Sequence, residues 1–340
     1  MLKNYFRCTL FDKKEINYSL DSYIQEELTL ESLNKNANFK LHKVLYTFKY
    51  IESSNFDNTK PALLLPIKDN TDLLEYTLNN LKQFNILNIT NVIVIDDRSE
   101  QNLLDICNKY QVNYLRVENN KGFNFSTINN IAAKIMFEKK IQEIILWNSD
   151  LWASDTETLS KLLKLHKDNN CTISGTKLLY PTFDWKNEIS HTITSVYPDK
   201  INNYKGTIQF AGSNLKYDLK INNYIGHHDY RFKQPEYVFA NKNYPCHFIT
   251  GAFQIINLNF FIKCGGLNPS LAKNYQDLDL CLKTIKEDKL IMYNGENINL
   301  IHGESILISK NRFDNQFTSD YVLFNRLWTY EIITKEIMKQ

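Results

Sequence analysis

Ile144-Ile145-Leu146-Trp147-Asn148-Ser149-Asp150 is an apolar run that stops on a polar triplet ending in a carboxylate. Successive bulky apolar residues suit a strand buried on both faces, and such strands belong to parallel sheets. In open α/β sheets ligands bind beyond the carboxyl ends of the strands, where Asn148 and Asp150 stand. A carboxylate there suits a hard divalent cation, Mg²⁺ or Mn²⁺, which prefers oxygen ligands and keeps positions open for phosphate. The same residues also suit a strand ending in a capped turn, because Ser154-Asp155 follows closely.

Outward from this run, apolar strands alternate with amphipathic helices. Strands are expected at 62–67, 91–95, 112–117 and 143–147, and helices at 72–84, 103–110, 125–137 and 156–166. That alternation predicts an α/β fold: a Rossmann-like, mostly parallel sheet flanked by helices. Residues 1–58 read as an N-terminal extension of unassigned role, with a helix over 22–33 and a strand over 43–48. Beyond Cys171 the texture loosens into Tyr-, Asn- and Gly-rich segments from 182 to 244, the composition of binding loops. A strand is then expected at 249–257, a helix at 276–286, a strand at 299–301 entering His302, and a terminal helix over 319–338.

Three further clusters can carry chemistry. Asp96-Asp97-Arg98-Ser99 closes the second strand, able to accept hydrogen bonds from a base or ribose or to cap the next helix. Gln276-Asp277 opens a helix, where the acid either complements the helix dipole or serves as a general base at a pocket rim. His302 stands at a late strand end, a position where a lone histidine is more often structural than a ligand.

The succession of Asp-Asp-x-Ser (96–99), Asn-x-Gly-Phe (120–123), Asn-x-Asp (148–150), Gly-Gly-Leu (265–267), Gln-Asp-x-Asp-Leu-Cys-Leu (276–282) and the late His302 resembles the inverting family 2 glycosyltransferases with the GT-A fold. The segments 177–181, 206–212, 226–227 and 249–252 look like its bacterial branch, which builds O-antigen, capsule and other surface polysaccharides. The resemblance runs from about 61 to 305 and implies a catalytic domain over 59–310, with a nucleotide-binding half (59–155), an acceptor half (171–310) and a C-terminal helical segment (311–340). It further implies that Pro66, Asp96 and Asp97 line the nucleoside pocket, Asp97 being the better base contact, while Asn120, Gly122 and Asn129 support the ribose and diphosphate. Asp150, Asn148 and His302 would hold Mg²⁺ or Mn²⁺, Asp277 would be the catalytic base, and Gly251, Gln276 and His227 would meet the sugars. Asn148 replaces the usual first acid of the metal motif and Gln276 the usual Glu before the base, so the metal is expected to bind appreciably only with the donor diphosphate.

The expected partners are a nucleotide-sugar donor (UDP, GDP or dTDP sugar) and a glycan acceptor, lipid-linked by implication of the family. Asn148 and Gln276 keep one alternative in play, a non-catalytic glycan-binding or scaffold protein with a decayed site. A sugar nucleotidyltransferase is disfavoured because residues 66–70 lack the glycines of a phosphate loop. The formal charge of +2 comes with interspersed Lys and Asp/Glu and no basic stripe, which argues against a nucleic-acid partner. No apolar stretch reaches the roughly 20 residues of a membrane span. The expected location is therefore cytoplasmic, with at most peripheral association at the inner face of the membrane. Six scattered cysteines without a Cys-x-x-Cys pair read as small core residues.

Overall fold

The computed structural model describes residues 21–28, 41–119, 122–183, 185, 189–219, 222–304 and 315–338. Its strands are β1 (Asp21–Leu28), β2 (Leu41–Ile51), β3 (Ala62–Ile67), β4 (Asn91–Asp97), β5 (Asn113–Asn119), β6 (Glu143–Trp147), β7 (Leu151–Ala153), β8 (Ile173–Leu179), β9 (Ile208–Phe210), β10 (Leu215–Asp218), β11 (Asn223–Gly226), β12 (Asn243–Pro245), β13 (Phe253–Asn257) and β14 (Ile291–His302). The principal helices are α1 (Thr71–Gln83), α2 (Leu103–Tyr110), α3 (Phe125–Glu138), α4 (Thr158–Asp168), α5 (Gln276–Lys286), α6 (Asn315–Leu327) and α7 (Tyr330–Glu336).

All strands except the β10–β11 hairpin join one twelve-stranded sheet, along the path β1-β2-β5-β4-β3-β6-β13-β8-β14-β12 with β7 and β9 on side branches. The stretch β5-β4-β3-β6 is wholly parallel, so the ends of β4, β3 and β6 open on the same edge. Beyond β6 the sheet turns mixed: β13 runs antiparallel to β6 and β8, and β8 runs parallel to β14. Every residue of β3 and β4 is buried. At roughly 1.5–3 kcal/mol for each large apolar side chain so enclosed, these strands outweigh any exposed ion pair, worth about 0–1 kcal/mol. α3 packs on β3 and β4, α1 on β7, and α4 on β8 and β14. No helix among the described residues is long and apolar enough to cross a membrane.

The α/β expectation holds, with β3 and β6 at the expected bounds. Four local expectations fail for tertiary reasons. Residues 21–28 form a strand rather than a helix because they pair antiparallel with β2, which pairs with β5 and so extends the sheet. β8 escapes an apolar-run criterion because its middle is Ser174-Gly175-Thr176-Lys177, although all of them are buried. Each polar member has a partner that only folding supplies: Ser174 Oγ meets His166 Nδ1 at 2.8 Å, Thr176 donates to Asn294 O at 2.7 Å, and Lys177 donates to Pro235 O at 2.9 Å. Residues 249–252 are a turn ahead of β13, and the terminal helix breaks into α6 and α7, the latter capped by Thr329.

Candidate active site

On the nucleotide side, the loops after β3 and β4 are stitched together. Ser99 N–H donates to Asp96 at 2.8 Å, and Ser99 Oγ accepts from Asp69 N–H at 2.7 Å. Asp96 also accepts from the Tyr114 hydroxyl and, at 2.9 Å, from Arg116. Its side chain is fully enclosed, and these bonds brace the loop. Asp97 is also enclosed, because the Arg98 fork lies across it with Nε at 3.0 Å and Nη2 at 3.3 Å. A base reaching Asp97 has to displace that fork. Asn119 joins the two parts of this pocket wall, donating to Asp97 at 3.4 Å and accepting from Gly122 N–H at 2.7 Å. Gly122 adopts φ 138°, open to glycine and strained for other residues. Pro66 lies buried in β3 opposite Ile95. Asn129 is fully buried in α3; its amide donates to Phe125 O at 2.8 Å and its Oδ1 has no partner among the described residues. Asn120 lies outside the described residues.

The triplet after β6 meets the end of β14. His302 Nε2 lies 3.3 Å from Asn148 Nδ2 and 3.4 Å from Asp150 Oδ1, and Gly303 N–H donates to Asp150 O at 2.9 Å. Capping of α4 falls to Asp155, which accepts from Glu157 N–H at 2.8 Å and Thr158 N–H at 2.7 Å. Asp150 is thereby relieved of the capping role that its sequence context also allowed. Behind His302 stands Gln209 of β9. Its Nε2 faces His302 O at 3.4 Å and its Oε1 faces His302 Nδ1 at 2.7 Å. A backbone carbonyl only accepts, so the Gln209 amide nitrogen must be the atom facing it; Oε1 then accepts from Nδ1, which carries the imidazole proton. In the neutral ring the Nε2 lone pair then points at Asp150 and Asn148, the arrangement a metal-binding imidazole requires.

These residues fit a divalent cation in part. Among the described residues no three His, Cys, Asp or Glu side chains converge as a metal cluster, because Asn148 supplies an amide where a third such group would stand. One carboxylate, one imidazole and one amide oxygen are a sparse set of donors for a hard cation, which takes about six ligands. The amide of Asn148 must also turn over to present its oxygen, since its nitrogen now faces His302.

The candidate base sits one backbone step away. Asp277, on the first turn of α5, accepts from Gly251 N–H at 2.7 Å and from Leu278 N–H at 2.9 Å. The next residue, Ala252, accepts from Asn148 N–H at 3.1 Å. Gly251 and Ala252, with Cα atoms about 3.8 Å apart, thus tie the base to the metal triplet. Burial raises the Asp277 pKa above the ordinary carboxylate range, against the lowering effect of the Gly251 and Leu278 amides. Gln276 is buried, with an Oε1 that has no hydrogen-bond partner among the described residues. His227, by contrast, is exposed just after β11. Its neighbour His228 is the one drawn inward, between Gln209 O (3.2 Å) and Arg231 (2.8 Å), and Arg231 pairs with Glu304 at 3.0 Å.

Asn148, Asp150, His302, Gly251 and Asp277 are therefore brought together, while Asp97 and Gly122 form a second group bridged by Asn119. Adjacent strands lie about 4.8 Å apart, so the ends of β4 and β6, separated by β3, are on the order of 10 Å apart, a span that a nucleoside diphosphate can bridge. Gln209 and Asn119 escaped the sequence reading. Gln209 lay within a quoted motif but carried no role, because nothing local shows that it faces a residue 93 positions later.

Comparison with solved structures bears on the fold. The fold is similar to that of GalNAc-T7, solved with UDP, GalNAc and Mn2+, with TM-score 0.55 and 12% identity over 81% of this chain and 50% of that one. The mannosyltransferase PcManGT from Pyrobaculum calidifontis, in complex with GDP-Man and Mn2+, matches with TM-score 0.47 and 10% identity over 81% of this chain and 67% of that one. This chain thus spans about half the length of the GalNAc-T7 chain. No curated protein matches it. The family model for glycosyl transferase family 2 matches residues 63–263, a region that includes Asn148, Asp150 and Gly251 and ends before Asp277 and His302. Covering more than half of the chain, that match settles its membership: the protein belongs to glycosyl transferase family 2.

Proposed function

We propose that the chain transfers a hexose from a nucleoside diphosphate donor to a hydroxyl of a glycan acceptor, with inversion at the anomeric carbon and with Mg²⁺ or Mn²⁺ bound at Asn148, Asp150 and His302. The carrying observation is the Gly251–Ala252 step, which binds Asp277 through Gly251 N–H and Asn148 through Ala252 O. A base and a leaving-group site tied to one short strut suit a single displacement. The acceptor oxygen forms its bond to the anomeric carbon as the bond to the diphosphate oxygen breaks, and Asp277 takes the hydroxyl proton. A carboxylate with a raised pKa is, once ionised, a better proton acceptor than an ordinary one. The cation, when bound, supplies positive charge against the diphosphate. His302, with Nδ1–H fixed by Gln209, directs its lone pair to that site. Asp97 takes the nucleobase once Arg98 moves aside, and the unpartnered Gln276 Oε1 accepts from a sugar hydroxyl.

We read 59–155 as a nucleotide half and 171–310 as an acceptor half that meet at the site, where Asn148 and Asp150 of the first face His302 of the second. The motif order that resembles the O-antigen and capsule branch supports a role in bacterial surface polysaccharide synthesis. A lipid-linked acceptor, met by peripheral association at the inner membrane face, is part of the same reading. UDP, GDP and dTDP sugars are the candidate donors.

A thermal-shift series with UDP, GDP and dTDP, each with and without Mn²⁺, tests the reading, because a ligand specific for the folded state raises the melting temperature. One nucleotide is expected to stabilise strongly with Mn²⁺ and weakly without it, and Mn²⁺ alone to have little effect. The matching nucleotide sugar should be slowly hydrolysed, with water as acceptor. No stabilisation and no hydrolysis with any of the three would favour the non-catalytic glycan-binding scaffold that Asn148 and Gln276 keep in view.

A further inference from the structure

The C-terminal helix α6 sends one carboxylate into the loop that carries Asp277. Asp320 is wholly buried, and three consecutive backbone amides converge on it: Ala272 N–H at 3.3 Å, Lys273 N–H at 3.0 Å and Asn274 N–H at 2.9 Å. Successive N–H groups turned toward one point form an anion-binding concavity, here filled by a side chain of the same protein. Tyr275 follows at φ 64°, a left-handed conformation, and α5 begins at Gln276. The Tyr275 ring stacks on Phe324 of α6, with centroids 5.1 Å apart. A second tie lies just past the base, where the Trp328 indole donates to buried Asp279 at 2.9 Å. On its other side the same loop is sewn to the start of α3, with Phe125 N–H donating to Ala272 O at 2.7 Å and Ser126 Oγ to Leu271 O at 2.7 Å.

We infer that Asp320 is a positioning residue for Asp277: it sets the 272–275 loop and thereby the first turn of α5, so that the C-terminal segment takes part in turnover and not only in stability. The inference rests on the reading of Asp277 as the base. Its physical ground is the number of charge-assisted bonds on one enclosed carboxylate. A left-handed non-glycine residue next to the base persists only where its surroundings over-determine it, and Asp320 together with the Tyr275–Phe324 stack does so. Release of Asp320 lets the base drift, and a misplacement near 1 Å costs on the order of 100-fold in rate.

The test uses the full chain with Asp320→Ala and the gentler Asp320→Asn, which keeps one oxygen. Two readouts separate the levels of the claim. Amide hydrogen exchange over 272–280 is expected to speed up in Asp320→Ala, and added formate, which can enter the vacated concavity, to slow it again. In hydrolysis of a panel of UDP-, GDP- and dTDP-hexoses with Mn²⁺, kcat is expected to fall about 10- to 100-fold in Asp320→Ala, less in Asp320→Asn, with the donor KM unchanged and formate restoring part of kcat. Ile333→Ala, a buried cut in α7 away from the loop, should lower the melting temperature and leave kcat in place. Unchanged exchange in Asp320→Ala would overturn the inference, as would accelerated exchange with wild-type kcat, or kcat and KM changing together without response to formate. A wild-type protein that hydrolyses no donor defeats the transferase reading instead, and the exchange arm still decides whether Asp320 holds the loop.

Discussion

Residues 59–155, the proposed nucleotide half, and residues 171–310, the proposed acceptor half, place their candidate groups by different means. Asp97, Asn119 and Asn148 stand at or just past the ends of β4, β5 and β6, and each is delivered by the buried strand that precedes it. Asp97 finds its side-chain partners nearby, Arg98 as the next residue and Asn119 22 positions away, whereas Asn148 reaches across to Ala252 and His302. In the acceptor half, Asp277 is held by Gly251, 26 positions back, and His302 by Gln209, 93 positions back. Strand ends tolerate change around them because the hydrophobic sheet fixes the backbone. Groups fixed by single long-range hydrogen bonds fail when one bond is lost. Substitutions behind the acceptor-half residues should therefore damage chemistry while the donor still binds.

Asp277→Asn breaks the comparison most sharply. Proton transfer to a placed base is worth about 10²–10⁴ in rate, so kcat should fall by that factor. Titration calorimetry with the stabilising nucleoside diphosphate and Mn²⁺ should give the wild-type affinity. Retained turnover would remove Asp277 as base. In the wild-type protein the acid limb of the kcat profile should lie above the ordinary carboxylate range, because burial raises the Asp277 pKa and only its ionised form accepts the proton.

Gln209→Met comes next. Without the acceptor at Nδ1 the imidazole is free to take the other tautomer, which places N–H where the lone pair was. Loss of such a partner typically weakens metal affinity by about 10–100-fold, read here as the Mn²⁺ concentration needed for nucleotide binding. Gln209→Glu keeps the acceptor and should retain the affinity. Equal Mn²⁺ requirements in Gln209→Met and the wild-type protein would show that Gln209 does not set the tautomer.

The same contrast explains what the sequence made legible. β3 and β6 were readable to the residue because their apolar runs are continuous, and a continuous run needs no knowledge of its neighbours. β8 was not, since Ser174, Thr176 and Lys177 look exposed until His166, Asn294 and Pro235 are brought to them. β1 looked helical because nothing within 21–28 announces pairing with β2. In the site, motif order pointed to Asp150, Asp277 and His302, which carry their own chemistry. It grouped Asp96 and Asn129 with the nucleotide site, and both are fully buried. It passed over Asn119, Gln209 and Asp320, whose roles lie entirely in what they touch.

A pair of glycines measures the contrast at smaller scale. A Cβ at Gly251 would stand 3.1 Å from Asp277 Cβ and 3.3 Å from Oδ2, tight enough to push the base by a few tenths of an ångström. Gly251→Ala should therefore lower kcat by about tenfold, less than the 100-fold typical of a full 1 Å displacement, with nucleotide affinity intact. At Gly122 a Cβ meets nothing within 4 Å, but φ 138° is poorly accessible to alanine. Gly122→Ala should weaken nucleotide binding through backbone strain and leave kcat at saturation alone. The opposite assignment of the two effects, in steady-state hydrolysis kinetics, would show that the halves are not separable.

The smallest effect expected concerns acid, and it also divides the molecule. Residues 59–155 contain no histidine. His166, packed on β8 through Ser174, has its pKa lowered to about 4, by burial first and by Lys167 second. His228 is also lowered to about 4, by burial and then by Arg231. Both are neutral in the folded protein where an unfolded histidine, with pKa near 6.5, already takes a proton. Their contribution to stability is thus present above about pH 6.5 and lost as pH falls toward about 4, with a slope of at most about 1.4 kcal/mol per pH unit for each proton. His166→Gln can keep a hydrogen bond to Ser174 without a titrating group, and should remove one proton from that slope in urea titrations between pH 7.5 and 5. Hydrogen exchange at pH 5 should then show β8 losing protection before β4 in the wild-type protein. Equal loss in both strands would mean that acid opens the sheet as one unit, and the comparison between the halves would apply to chemistry but not to stability.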